Sequence, residues 1–327
     1  MSSCTVEVAG RAPIRFECAP GLSVLDAAAQ AGWELPYSCR RGNCETCRAP
    51  VLEGEVSPPA GADGSALLCQ VHAVGDIRIA PDRIEPLVPS ARKRVRAKLY
   101  RLRRAAPDVA IVDLRFPAGV KVAFKAGQYL QVLIEGHAAR SFSMASVPRS
   151  SDAVQLHVRV LPGSVFGERL LGAMQPGAEL DIELPFGDFH LREGSGPVLL
   201  VAGGTGFAPM QSLLEDALPK HRDRSFTLYW GARTAEGLYA MDQVRKWQQK
   251  HPHFRFAGVV SDAAAEAPLR SGLVHEAVLA DVPDLAGHQV YVCGAPPMVS
   301  AARDAFVHGR GLPAADFFSD AFAISGA

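Results

Sequence analysis

The sequence predicts a multidomain chain in which an α+β unit, an all-β unit and an α/β unit follow one another. Three observations carry this. Residues 193–327 alternate strand-like apolar runs with helical segments, residues 95–192 hold short strands spaced by Gly and Pro turns, and a proline-spaced, basic segment sets both apart from a small N-terminal unit, residues 1–85. A length of 327 residues suits two or three domains at roughly 100–200 residues each. A composition that is 48% hydrophobic and 21% charged supplies apolar surface for real cores. The formal net charge is zero, which argues against a nucleic-acid partner. The start, MSSCTVEVAG, lacks a basic segment followed by an apolar one, so no secretory leader is expected. The longest apolar runs, such as Val198–Ala202, are strand-sized, so no membrane partner is expected and a cytoplasmic protein is the default.

In the first unit Thr5–Val8 and Ile14–Phe16 alternate like strands. Ser23 is placed to cap a short helix that Gly32 stops, and strands are expected at Ala49–Leu52 and Ile77–Ile79. Residues 1–85 carry 7 basic and 11 acidic side chains, a net of −4. Pro81, Pro86 and Pro89 then space a semi-rigid linker. Eight Lys and Arg follow between Arg92 and Arg104, read as a solvated edge strand because Arg94, Arg96 and Lys98 alternate with Val95, Ala97 and Leu99; an acidic partner surface is the alternative. Strands at Val109–Phe116, Tyr129–Ile134, Ala153–Val160 and Glu179–Leu184, with one helix near Val165–Ala173, suggest a barrel or sandwich. From residue 193, strands at Val198–Ala202, Phe226–Gly231, Phe254–Val260 and Gln289–Cys293, each followed by helical sequence, predict a doubly wound parallel sheet.

The chain has seven cysteines, an odd number that argues against a disulfide framework. Cys39, Cys44 and Cys47 form C-x4-C-x2-C, with Cys69 further on, the spacing of a plant-type [2Fe–2S] cluster. Two irons and two sulfides need four converging thiolates; a tight loop supplies three and a later segment the fourth. Gly42 lets the loop bend close to the sulfides so that its amides donate to them. A zinc site is the alternative, but zinc sites usually pair C-x2-C with a second close pair. Cys4 and Cys18 lie outside the pattern and read as inert thiols.

Two further segments carry chemistry. Arg140-Ser-Phe-Ser143 offers a cation for a pyrophosphate, a flat ring for an isoalloxazine and a hydrogen-bond donor near its redox-active nitrogen, from Arg140, Phe142 and Ser143 in turn; ordinary strand sequence is the alternative. Gly163, Ser164, Val165 and Phe166 form a turn whose free amides suit the pyrophosphate. Gly203, Gly204, Thr205 and Gly206 join a strand to a helix and allow close approach of a phosphate-bearing ligand, although this is not G-x-G-x-x-G. Tyr291-Val-Cys-Gly-Ala-Pro-Pro-Met298 places Cys293 and Gly294 at another strand end of the same sheet; a buried core role is the alternative for Cys293.

Taken in order, these four motifs resemble the reductase components of bacterial ring-hydroxylating oxygenases, within the ferredoxin–NADP reductase superfamily. The C-terminal half (Leu228-Tyr-Trp-Gly-Ala-Arg-Thr, Phe317-Phe-Ser-Asp-Ala-Phe322) is similar to naphthalene-dioxygenase-type reductases and to CDP-6-deoxy-glucoseen reductases. The resemblance implies a β-grasp ferredoxin over 1–85, an antiparallel flavin-binding β-barrel over 95–192 and a nucleotide-binding domain over 193–327. It implies a cluster on Cys39, Cys44, Cys47 and Cys69, FAD on Arg140, Phe142 and Ser143 with Gly163–Phe166 at its pyrophosphate, and NAD(P)H between Gly203–Gly206 and Cys293–Gly294. Phe322 matches the aromatic that covers the isoalloxazine. The implied acceptor is an oxygenase or a ferredoxin, with a deoxysugar dehydratase as the alternative. Two positions depart from the family: Phe142 stands where Tyr is usual, and Glu45 where a small residue is usual. Arg233 followed by Thr234, Ala235 and Glu236 is a poor clamp for a 2′-phosphate, so NADH is expected over NADPH.

Overall fold

The computed structural model describes residues 3–10, 13–88, 92–164, 166–167, 171–262 and 268–322. The chain forms two compact units, residues 1–90 and 91–327. Among the described residues no helix is long and apolar enough to cross a membrane.

Among the described residues the first unit holds a mixed five-stranded sheet, two short two-stranded pairings (Trp33–Glu34 with Glu85–Pro86, Val56–Ser57 with His72–Ala73) and one helix. Strands β1 (Cys4–Val8), β2 (Ile14–Cys18), β3 (Arg48–Glu53), β4 (Ser65–Leu67) and β5 (Ile77–Ile79) lie in the order β2-β1-β5-β3-β4. The pair β1–β5 is parallel and the other pairs are antiparallel. Helix α1 (Val24–Gln30) starts where expected: the Ser23 hydroxyl accepts from the Asp26 amide at 3.1 Å and donates to the Asp26 carboxylate at 2.7 Å. Gly32 follows its end at φ +83°, the left-handed turn that glycine adopts without strain. Cys4 and Cys18 stand directly opposite each other across β1 and β2.

The second unit holds two six-stranded sheets. The first is antiparallel throughout: β6 (Lys93–Ala106), β7 (Val109–Arg115), β8 (Tyr129–Leu133), β9 (Arg140–Ser143), β10 (Ala153–Arg159) and β11 (Glu179–Phe186) lie in the order β9-β8-β11-β6-β7-β10. A bridge between Met144 and Leu156 brings its two outer strands together, so the sheet curls into a barrel around Val95, Leu99, Val112, Leu130, Leu156 and Ile182. The basic strand β6 is therefore not an edge strand. It lies inside the sheet between β7 and β11, and its exposed residues are matched by cross-strand carboxylates: Arg96 and Arg94 face Asp181 at 3.1 and 3.5 Å, and Lys98 faces Glu179 at 3.7 Å. The outside of a barrel is wetted like an edge, so the alternation is the same in both cases. Of the helix expected over Val165–Ala173, Leu171–Ala173 is helical, and Val165 lies outside the described residues.

The second sheet is wholly parallel, with β12 (Val198–Gly203), β13 (Phe226–Ala232), β14 (Phe254–Val260), β15 (Arg270–Ser271), β16 (Gln289–Gly294) and β17 (Phe317–Ala321) in the order β15-β14-β13-β12-β16-β17. Helices α2 (Phe207–Ala217), α3 (Met241–Lys250), α4 (Val274–Asp281) and α5 (Pro296–Arg303) connect them. Residues 198–202 of β12 are buried without alternation, as a strand covered on both faces requires. The order places β12 and β16 side by side with their C-terminal ends together, the position at which open α/β sheets bind ligands.

Candidate functional site

The cysteine loop brings all four predicted thiols together as two pairs. Cys39 is hydrogen-bonded to Cys44 and Cys47 to Cys69, and the pairs lie within electrostatic reach of each other. Within each pair one thiol donates to the other. The hydrogen bond from Cys44 lowers the Cys39 thiol and that from Cys47 lowers Cys69, while both donors are pushed up. Backbone amides of Arg41, Asn43 and Cys44 serve the Cys39 sulfur and that of Gly42 serves Cys69. The loop achieves this with left-handed backbone at Arg40 (φ 54°), Gly42 (φ 77°) and Glu45 (φ 58°). A side chain at Gly42 would also press on Gln70, whose amide lies 3.3 Å from the Cys69 sulfur. Two thiol pairs with backbone amide donors beside them fit a two-iron cluster held by four cysteines. Glu45 stands in left-handed backbone, a conformation that favours glycine. Its carboxylate is engaged by Arg48 at 3.1 Å, which also meets Asp63 at 3.2 Å, so its charge is paired.

The two proposed flavin segments also meet. Arg140 and Phe142 alternate on β9, both half-buried, and the Phe142 ring lies 4.7 Å from that of Phe166. Phe166 is itself buried in the barrel core, so its backbone is what it can offer a ligand. Gly163 has φ +75°, and Ser164 donates to the Leu161 carbonyl at 2.7 Å, closing the turn. Ser143 is buried, and its hydroxyl lies 3.5 Å from the Asp320 carboxylate on β17. Asp320 pairs in register with Cys293. Burial raises the Cys293 thiol far above its ordinary value, and the charge of Asp320 adds to this.

The glycine loop is built for backbone contact. A side-chain carbon at Gly206 would stand 2.1 Å from the Cys293 carbonyl oxygen, and carbons at Gly203 or Gly294 would run into Met298 at 2.5 and 2.7 Å. Gly204 is left-handed at φ +54°, and its carbonyl accepts from the Trp230 indole at 2.9 Å. A cleft of about 750 Å³ opens from this loop, lined among others by Arg159, Gly203–Thr205, Arg233, Glu236, Asp262 and Met298. Gly206→Ala is expected to lose nucleotide affinity and at least about 1–3 kcal/mol of stability, because backbone cannot yield as a side chain can. NAD⁺ titration and denaturant unfolding check this, and parental values in both would contradict it.

Comparison with known proteins agrees with this layout. Residues 3–74 match the 2Fe-2S iron-sulfur cluster binding domain, 96–191 the oxidoreductase FAD-binding domain and 200–304 the oxidoreductase NAD-binding domain. The chain is 43% identical over 320 residues to reductase component 2 of terephthalate 1,2-dioxygenase from Comamonas sp, covering 95% of both chains. The chain belongs to the iron–sulfur flavoprotein reductases. It is also 35% identical to the CDP-6-deoxy-L-threo-D-glycero-4-hexulose-3-dehydrase reductase of Yersinia pseudotuberculosis, over 93% of this chain and 94% of that one. Among solved structures, Amycolatopsis cytochrome P450 reductase GcoB superposes with a TM-score of 0.77 at 32% identity, over 98% of each chain.

This reductase thus combines a β-grasp ferredoxin fold, a flavin-binding barrel and a parallel-sheet nucleotide-binding fold, and its cofactors are a [2Fe–2S] cluster, FAD and NAD. Phe322, expected over the isoalloxazine, is tied to the site by its amide, which donates to the Gly294 carbonyl at 2.9 Å. Two acidic residues, Asp320 and Asp262, escaped the motif reading. Asp320 sits in Phe317–Phe322 without a motif of its own; its buried position beside Ser143 reveals it. Glu236 and Asp262 come from separate loops yet line one cleft.

Proposed function

We propose that this reductase takes a hydride from NADH onto FAD and passes the electrons singly, through a cluster held by Cys39, Cys44, Cys47 and Cys69, to an oxygenase component. FAD supplies the two-to-one conversion, since it accepts a hydride and releases electrons one at a time. The protein's task is positioning, with no acid–base residue required. In this reading residues 1–85, 95–192 and 193–327 are the three domains. Arg140, Phe142 and Ser143 contact the flavin, with Gly163–Phe166 at its pyrophosphate; Gly203–Gly206, Cys293 and Gly294 flank the nicotinamide nucleotide, and Phe322 covers the ring. The observation that carries the cluster assignment is the thiol array of two amide-ringed pairs. A purified preparation is expected to hold about two irons and two acid-labile sulfides per flavin; zinc without labile sulfide would contradict it.

The acceptor is inferred from the relatives. The oxygenase reading rests on the 43% identity to a terephthalate dioxygenase reductase, against 35% to the dehydrase reductase. Turnover with NADH and either a purified aromatic-ring dioxygenase or a CDP-hexulose dehydrase separates the two. Hydroxylated product from the dioxygenase is expected, and turnover with the dehydrase alone would overturn the assignment.

The NADH preference follows from the cleft. Arg233 shares it with Glu236 and Asp262, and Arg159 in the same cleft is held by Asp108 at 2.8 Å. Two carboxylates repel a 2′-phosphate and accept hydrogen bonds from a ribose hydroxyl. The expected kcat/KM for NADH exceeds that for NADPH by at least about tenfold. A tenfold preference for NADPH would show the cleft to be misread.

A further inference from the structure

Strand β10 carries Gln155, His157 and Arg159 on its outer face, while Val154, Leu156 and Val158 fill the barrel. All three outward residues reach the nucleotide-binding sheet or its cleft. Arg159 lines the cleft. Gln155 meets the Gln211 amide of α2 at 3.3 Å. His157 is buried, stacks on the Phe207 ring (centroids 6.0 Å apart, 13° between planes) and lies 2.9 Å from the Tyr239 hydroxyl. Phe207 opens the helix after the glycine loop and stacks in turn on Trp230 at 4.0 Å, whose indole holds the Gly204 carbonyl.

The hydrogen bonds of this group run in one direction. The Gln155 amide nitrogen donates to Asp113 at 2.7 Å, which leaves Gln155 Oε1 as an acceptor. His157 Nε2–H donates to that oxygen at 3.2 Å, so Nδ1 carries no proton and accepts the Tyr239 O–H. Burial, helped by the charge of Arg103, pushes the imidazole down to about 3, so it stays neutral and keeps this tautomer. Asp113 closes the series on Arg101 at 2.8 Å. His157 is the buried centre of this network, Tyr239, Gln155 and Asp113 are half-buried and Arg101 is exposed; with these groups paired, the network favours one geometry of the two surfaces it joins.

We infer that His157 and Tyr239 are positioning residues for hydride transfer, fixing the Gly203–Gly206 loop at one distance and angle from the flavin-binding barrel. The inference rests on the nicotinamide reaching the flavin between the barrel and the nucleotide-binding sheet. The loop has little freedom to correct an error, because Gly206 is pressed against Cys293 and Gly204 is held by Trp230. A displacement of about 1 Å at a reacting pair costs on the order of 10²-fold in rate. Removing one hydroxyl at this seam therefore acts on the chemical step and leaves cofactor affinity in place.

The test uses the holoprotein and its Tyr239→Phe variant, which loses a single oxygen. Anaerobic stopped-flow mixing with NADH gives the limiting rate of flavin bleaching and the NADH dissociation constant separately. The limiting rate is expected to fall about tenfold, with flavin content and NADH affinity within about twofold. Hydrogen–deuterium exchange without nucleotide is expected to rise in the peptide spanning Gly203–Met210 and to stay unchanged around Cys39–Cys47. His157→Phe should lower the rate similarly, and His157→Phe/Tyr239→Phe no further than the slower single variant, because the two act as one unit. A limiting rate within twofold of the parent in Tyr239→Phe overturns the inference, as does unchanged exchange at Gly203–Met210. Loss of nucleotide affinity or of flavin would instead count against the reading of the site beneath it.

Discussion

Cys47→Ser is expected to lose at least about tenfold in cytochrome c reduction while keeping ferricyanide reduction within about twofold of the parent. Cys47 and Cys69 form one of the two thiol pairs, so its loss would leave the cluster with three of its four protein thiolates. Ferricyanide accepts electrons from flavins directly and does not need the cluster, whereas cytochrome c is served one electron at a time. The hydride step needs only residues 91–327, a compact unit with its own cores. A chain starting at Arg92 should therefore behave like Cys47→Ser, since the break falls in a proline-spaced connection. Full cytochrome c activity in either protein would show that the cluster is not the exit for electrons.

Arg140→Ala is expected to fail with both acceptors because it loses flavin. Arg140 opens β9, two residues before Phe142, and is the charge that this strand offers an FAD pyrophosphate. Hydrogen bonds to a charged group contribute about 1.5–3 kcal/mol each, so FAD affinity should fall at least about tenfold. The purified variant should be pale in flavin yet keep its iron and labile sulfide, and excess FAD should restore part of its ferricyanide activity. A variant that retains its full flavin complement would remove Arg140 from the site.

The parts legible in the sequence were those whose chemistry is local. Cys39, Cys44 and Cys47 fall within nine residues with Gly42 among them, the spacing of a plant-type [2Fe–2S] cluster. The unbroken apolar run Val198–Ala202 before a glycine loop likewise announces a central parallel strand and its ligand loop. What stayed hidden depends on distant partners. The alternation of Arg94, Arg96 and Lys98 looks the same on an edge strand and on the wall of a barrel, and only Asp181 and Glu179 across the sheet tell them apart. Asp320 meets Ser143 across 177 residues of chain, and Tyr239 meets His157 across 82, distances at which no motif spacing exists. The departure at Glu45 became intelligible only with its backbone angle and its Arg48 partner.

Electron flow from NADH through FAD to the cluster is tested most directly by following flavin and cluster absorbance together after anaerobic mixing of the holoprotein with NADH. Flavin bleaching in a first, NADH-dependent phase, followed by loss of cluster absorbance at a rate independent of NADH concentration, is the expected result. Cluster bleaching that precedes the flavin, or that persists in Arg140→Ala stripped of its flavin, would contradict it.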